Sequence, residues 1–168
     1  MTTKELKVQR FSITSSKGFH DIVAVIEAAV GHPDMRVFAR NLRAANTLPE
    51  MEQVVREATG PSELMEFTRM DLGGVLRKRI GTEAWQSLRL VVGNPIIMSS
   101  MVEHVPDAGS YAPVTILIDE RADGVHLSYD RMASFLAPYE NPKALKIAQD
   151  LDSKVEALLT AAAGMVRP

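Results

Sequence analysis

Residues 113–129 constrain the fold more than any other stretch of the chain. Pro113–Glu120 (PVTILIDE) and Val125–Tyr129 (VHLSY) both alternate between apolar and polar positions. Arg121-Ala122-Asp123-Gly124 joins them. An Asp-Gly pair between two alternating runs is a hairpin signal, here with a longer loop than the tightest turns. Side chains on a strand alternate between faces. Val114, Ile116 and Ile118 therefore join Val125, Leu127 and Tyr129 on the core side. Thr115, Leu117, His126 and Ser128 share the other side. That second face is mixed in character, which suits a dimer surface or a shallow ligand floor. The competing reading is a solvated face carrying one chance leucine.

The remaining segments supply the layers around this hairpin. Lys7–Thr14 alternates, with Phe11 and Ile13 on one face, and predicts a first strand. Ser15 and Ser16 are offered as N-caps for a helix carrying Phe19, Ile22, Val23, Ile26 and Val30, with Gly31 as its stop. Between residues 33 and 60 the pattern reads as a helical insertion. One turn or short helix spans Met35, Val37, Phe38 and Leu42. A second helix has Pro49 at its first position and ends near Gly60. Leu64–Met70 predicts a strand. Leu72, Val75, Leu76 and Ile80 mark a short helix closed by Gly81, weakened by Gly73 and Gly74. Leu88–Val92 predicts a nearly all-apolar, central strand. After Gly93-Asn94-Pro95, Ile97, Met101, Val102 and Val105 are helix-spaced up to Pro106. A short helix over Arg131–Leu136 follows. A long helix then starts at Asn141 and Pro142, with Leu145, Ala148, Leu151, Val155, Leu158 and Leu159 on one stripe, and runs to about residue 163. This order predicts one α+β domain over residues 1–168. Its five-stranded, mostly antiparallel sheet would carry helices on one face only.

Composition excludes whole classes of chemistry. The 168 residues contain no cysteine, so disulfides, thiolate nucleophiles and cysteine-held metals are excluded. Nineteen Lys and Arg against 21 Asp and Glu leave a formal charge of −2, which argues against nucleic-acid or polybasic membrane binding. The start of the chain, MTTKELKVQRFSIT, has no apolar secretory core. The apolar stretches Ile22–Val30 and Leu88–Met98 fall short of the ~20 residues a membrane span needs. A soluble cytoplasmic protein is the expectation.

No constellation carries a known chemistry. There is no G-x-G-x-x-G, phosphate loop or G-x-S-x-G elbow. His20, His32, His104 and His126 form no metal-spaced pair, so neither metal nor cofactor is expected. Candidate ligand contacts remain. Asp71 ends one strand, where a carboxylate caps a helix or acts as a base. Asn94 stands at a strand-to-helix junction, where a helix start can cap itself or bind an anion. His104 sits near a helix end. His126 and Tyr129 lie on the last strand. Thr115, Leu117 and Ser128 are the candidate interface.

The run LVVGNPIIMSSMVEHVPDAGSYAPVTILIDERADGVHLSYDRMASFL resembles the widespread prokaryotic family known as domain of unknown function 302. The resemblance rests on Asp71 after a strand, Gly93-Asn94-Pro95 after another, and Met98 or Met101 in the next helix. Pro113 opening a strand, the hairpin ending in Ser128-Tyr129-Asp130, and the final helix complete it. It covers about residues 7–160, with a longer 33–60 region than usual. It implies a fold similar to the TATA-box-binding-protein-like group, β-α-β(4)-α, often as a homodimer. It implies neither DNA binding nor any catalytic residue, because fold is not function. The leading expectation is a homodimeric small-molecule-binding or interaction protein. The alternative is an enzyme of unknown reaction using Asp71, His104 or Tyr129 near the Gly93-Asn94-Pro95 junction. Haem or metal association through His104 or His126 ranks third.

Overall fold

A computed structural model of the chain describes residues 1, 3–81 and 85–165. Five strands form one open sheet: β1 (Arg10–Ser15), β2 (Met65–Asp71), β3 (Ser87–Gly93), β4 (Val114–Arg121) and β5 (Gly124–Asp130). Their order is β1-β5-β4-β3-β2, and the four pairings between them are antiparallel. The fold is mixed α+β. The all-apolar strand expected at the centre is β3, which lies one place off it; β4 of the hairpin is central.

The hairpin is tighter than its sequence suggests. Arg121 and Gly124 belong to the ladder and face each other, leaving only Ala122 and Asp123 as the turn. Gly124 takes a φ of +132°, a region that penalises any side chain. Both strands alternate in burial as expected. Val114, Ile116, Ile118, Val125, Leu127 and Tyr129 are each 3% exposed or less.

Helices cover that apolar face. α1 (Phe19–Ala29) and α7 (Pro142–Ala162) lie against it and against each other. Ile22 and Ile26 of α1 and Ala148, Val155 and Leu159 of α7 are buried in the same cluster as the strand residues. Each fully buried aliphatic side chain contributes about 1.5–3 kcal/mol relative to an exposed one. The small residues Ala144, Ala148 and Ala162 are also fully buried, and their size allows α7 to lie close. Asn141 caps α7 as expected, its Oδ1 accepting from the amides of Lys143 and Ala144, both at 3.1 Å. α1 is capped differently. β1 continues through Ser15, and Gly18 is the N-cap, without a side-chain bond. Ser15 is instead buried, its hydroxyl donating to the Ala163 carbonyl at 2.9 Å.

The 33–60 segment forms two full helices, α2 (Met35–Ala44) and α3 (Leu48–Ala58). Asp34 and Thr47 cap them. Phe38, Val55 and Ala58 build a second, smaller apolar cluster with Met65. Gly31 and Gly60 lock this segment to β2. Both amides donate to the Leu64 carbonyl, at 2.9 and 3.0 Å. A Cβ on Gly31 would stand 2.0 Å from the Ala58 carbonyl oxygen. Close backbone approach, not a left-handed cap, explains the glycine there. Three short helices complete the chain: α4 (Leu72–Ile80), α5 (Pro95–Val102) and α6 (Met132–Leu136). α5 ends at Val102, earlier than its apolar spacing suggests, and a 3-10 turn over Pro106–Ser110 follows. Among the described residues no helix is long and apolar enough to cross a membrane.

Candidate functional site

The face of the sheet opposite α1 and α7 is uncovered, and the ladder registers say what lies on it. One row across the five strands reads Met70, Arg89, Leu117, Ser128 and, on β1, Ser12. The neighbouring rows carry Thr68, Val91 and Thr115 on one side and Ser87, Asp119, His126 and Thr14 on the other. Thr115, Leu117 and Ser128 therefore share this face, as expected from alternation. His126 sits there too, its Nε2 2.8 Å from Asp123 Oδ1 and its Nδ1 3.3 Å from Thr14 Oγ1. That contact holds the Asp123 carboxyl below its ordinary range.

A concavity of about 510 Å³ opens over this face near the Asp130 end. Leu117, Ser128, Arg89 and Thr115 line it, with Leu72 at one border and Tyr111 and Phe135 at another. The two rings stack with centroids 4.9 Å apart. Arg10 lines it too, and its guanidinium donates to both oxygens of Asp130, at 2.6 and 2.8 Å. The Arg89 guanidinium reaches Thr115 Oγ1 at 3.4 Å. Among the described residues it has no carboxylate partner.

The Arg10 hydrogen bond and charge hold the Asp130 carboxyl below its ordinary value. A depressed carboxylate contributes stability above its unfolded pKa and loses it as pH falls through the folded one. The melting temperature of the native chain should therefore exceed that of Asp130→Asn at pH 6, with the gap closing below about pH 4. The pair is largely solvated, so the gap will be small. An equal gap at pH 6 and pH 3 would show that Asp130 acts by packing alone.

α4 borders the uncovered face at Leu72. Leu72, Val75, Leu76 and Ile80 fall at helical spacing on one stripe, the pattern of a buried helix. Yet Val75 is 66% and Ile80 67% exposed, and Leu76, Met70 and Trp85 are exposed beside them in sequence. Leu72 borders the sheet-face concavity, so the stripe starts at that face and runs outward.

The Gly93-Asn94-Pro95 junction lies at the other end of β3. Asn94 caps α5, its Oδ1 accepting from the amides of Ile96 and Ile97 at 2.8 and 3.3 Å. Its Nδ2 donates to the Glu63 carbonyl at 2.9 Å. Beside it is a cleft of about 190 Å³ with almost wholly apolar walls, among them Phe38, Leu42, Phe67, Ile97, Met98 and Pro113. The Ala112–Pro113 peptide bond is cis.

The structure does not assemble the catalytic trio. Asp71 lies across from Leu88, six residues along β3 from Asn94, or roughly 20 Å. It caps α4 by accepting from the Gly74 amide at 2.7 Å and pairs with Arg77. Tyr129 is three strands away from β2, roughly 14 Å. It is also turned into the core and 1% exposed, so it offers no hydroxyl to a ligand. His104 lies beyond the far end of α5, its carbonyl accepting from Asn141 Nδ2 at 3.4 Å. Among the described residues, no three His, Asp or Glu gather to hold a metal.

Sequence reasoning missed what Tyr129 does. Its hydroxyl donates to Asp152 Oδ1 at 2.6 Å and accepts from the Met132 amide at 3.1 Å. Asp152, on α7, also accepts from the amides of Met132 at 2.7 Å and Ala133 at 3.1 Å. α6 has no cap from its own N-cap side chain, and this carboxylate supplies one from 20 residues away. Burial pushes both the Asp152 carboxyl and the Tyr129 phenol upward. An acidic residue on the Ala148–Val155 stripe was the available signal.

The profile of the family described as "Domain of unknown function DUF302" matches residues 40–162. No curated protein matches the sequence. Among solved structures, the chain is similar to an uncharacterized conserved protein DUF302 from Bacillus stearothermophilus. The TM-score is 0.62 at 12% identity, covering 91% of this chain and 97% of that one. At that identity the likeness speaks for the fold alone.

Proposed function

The chain belongs to the DUF302 family, domains of unknown function, and from that premise we propose that it works as a homodimeric small-molecule-binding protein whose two copies meet through the uncovered sheet face. The observation that carries the dimer is the α4 stripe. Val75 and Ile80 keep about two thirds of their surface in water on the helix whose Leu72 borders a sheet face that, among the described residues, no helix covers. Contiguous exposed apolar surface of this kind marks an interaction site. A second copy fits it because the same patch on both partners is self-complementary about a two-fold axis.

Size supports the same reading. Five strands about 4.8 Å apart and six residues long give a footprint of roughly 500 Å². The α4 stripe extends that toward the ~800 Å² per partner of a stable interface. Thr115, Leu117 and Ser128 lie at its centre and His126 toward one end. The concavity around Arg89 leaves room at the subunit contact for a small molecule. The enzyme reading, which needs Asp71, His104 or Tyr129 near the Gly93-Asn94-Pro95 junction, has less support, because Asp71 lies roughly 20 Å from Asn94 and Tyr129 is turned into the core. The TATA-box-binding-protein-like fold that the family resemblance implies adds no nucleic-acid role at a formal charge of −2.

Crosslinking tests which face is used. The chain has no cysteine, so Ser128→Cys or Thr115→Cys introduces a single thiol. Either variant, treated with a short bismaleimide at micromolar concentration, is expected to run as a covalent dimer. Gln149→Cys, exposed on α7, is expected to stay monomeric under the same treatment. Equal crosslinking at residues 128 and 149, or none at 128 and 115, contradicts the sheet-face contact.

A further inference from the structure

We propose that the cleft beside Gly93-Asn94-Pro95 is a ligand site for a neutral hydrocarbon of about eight to ten carbons, an aromatic bicycle or a short alkyl chain. The inference rests on the binding-protein reading for its meaning, but the site is separate from the subunit contact.

Three observations define the occupant. The first is the chemistry of the walls. Phe38 and Leu42 of α2, Phe67 of β2, Ile97 and Met98 of α5, and Pro113 present carbon or thioether surface. The polar side chain at the cleft, Asn94, has its Oδ1 committed to two amides and its Nδ2 to the Glu63 carbonyl. A ligand with a charge or a hydrogen-bonding group would leave it unpaired there, at a cost of about 1–3 kcal/mol for each neutral group. A neutral apolar molecule incurs no such cost.

The second is volume. The cleft holds about 190 Å³. An apolar cavity of about 150 Å³ stays dry and takes up benzene, so this one suits a slightly larger hydrocarbon. It is too small for a helix or a strand of another protein, whose side chains alone would fill it.

The third is how the space is kept open. The cleft lies where the main core meets the second cluster built by α2 and α3, and neither cluster fills the gap. At residue 93 a Cβ would stand 3.1 Å from Pro113 Cβ and 3.4 Å from the Phe67 ring, crowding that wall. Met98 and the adjoining buried Met101 are unbranched and polarizable, able to follow the outline of different ligands and to contact aromatic rings. α2 packs on α3, and Phe38 joins the buried cluster that holds Met65 of β2, so the wall bearing Phe38 and Leu42 stands between the insertion and the sheet. The segment between α1 and β2 thereby gains a role: it closes one side of the site.

The nine methionines provide the readout. The chain labelled with 13C at the methionine methyls is titrated with naphthalene and followed by NMR. Met98 and Met101 methyls are expected to shift saturably with one-to-one stoichiometry, while Met70, on the sheet face, does not move. Met98→Trp and Leu42→Trp, which fill the cleft, should each weaken binding at least tenfold, with the melting temperature unchanged or raised. No saturable shift up to the solubility of naphthalene overturns the proposal. So do shifts centred on Met70, or undiminished affinity in both filled variants. Sedimentation of the same samples separates the two claims. A monomer that binds naphthalene refutes only the subunit contact, and a dimer that does not bind it refutes only the hydrocarbon site.

Discussion

Asp152→Ala is expected to lower stability by about 3 kcal/mol, because two buried donors and one half-buried donor lose their shared acceptor. For a chain of this length that corresponds to a fall of roughly 6–12 °C in melting temperature. The Tyr129 hydroxyl and the amides of Met132 and Ala133 all point at this carboxylate from within bonding distance. Water cannot replace it readily, since Asp152 is 6% and Tyr129 1% exposed. The loss falls on one joint of the fold. Asp152 belongs to α7, Tyr129 to β5, and the two amides to the first turn of α6. Without the carboxylate the first turn of α6 loses its side-chain cap from α7, and the Met132 amide keeps only the Tyr129 hydroxyl. Tyr129→Phe removes one of the three donors with its hydroxyl, so it should cost only about 1 kcal/mol. Urea denaturation of the three proteins checks the order. A loss below 1 kcal/mol for Asp152→Ala would mean the network is not the joint described.

The second large effect concerns the α4 stripe. Val75→Asp with Ile80→Asp places two carboxylates where the proposed subunit contact requires apolar surface. Both side chains are about two thirds exposed in the single chain, so the fold itself should lose little, within about 0.5 kcal/mol per site. Self-association should weaken on the order of a hundredfold or more, the scale of placing two charges against an apolar contact. Leu117→Lys probes the same surface from the sheet and avoids any question of helix propensity in α4. If both variants keep the wild-type association constant while folding normally, the stripe is exposed for another reason.

Much of this architecture is legible from residue order. The hairpin, the stripes of α1 and α7, and the Asn94 and Asn141 caps each follow from local chemistry that tertiary contacts reinforce. The misses have identifiable causes. Ser15 and Ser16 have the right side chains for a cap, but β1 uses Ser15 as its last rung and the chain turns at Gly18. The hairpin turn is shorter because Arg121 and Gly124 complete the ladder, a matter of register that composition does not reveal. Alternation placed Thr115, Leu117, His126 and Ser128 together correctly, since a period of two leaves no choice once the core face is known.

The grouping of Asp71, His104 and Tyr129 near the Gly93-Asn94-Pro95 junction rests on polar residues standing near strand ends. β2 and β3 run in opposite directions, however, so the ends that carry Asp71 and Asn94 lie at opposite edges of the sheet. The α4 stripe was ambiguous in a different way. Leu72, Val75, Leu76 and Ile80 make the same pattern whether the surface that covers them belongs to this chain or to another. The observed exposure of Val75, Leu76 and Ile80 shows that this chain does not cover them.

Sedimentation equilibrium of the native chain beside the Val75→Asp, Ile80→Asp variant tests the subunit contact most directly. The native chain should give about twice its 18.4 kDa monomer mass at micromolar concentration, and the folded variant the monomer mass. A native chain that stays at monomer mass, or a folded variant that remains at twice that mass, would contradict the sheet face and α4 as the place where two copies meet.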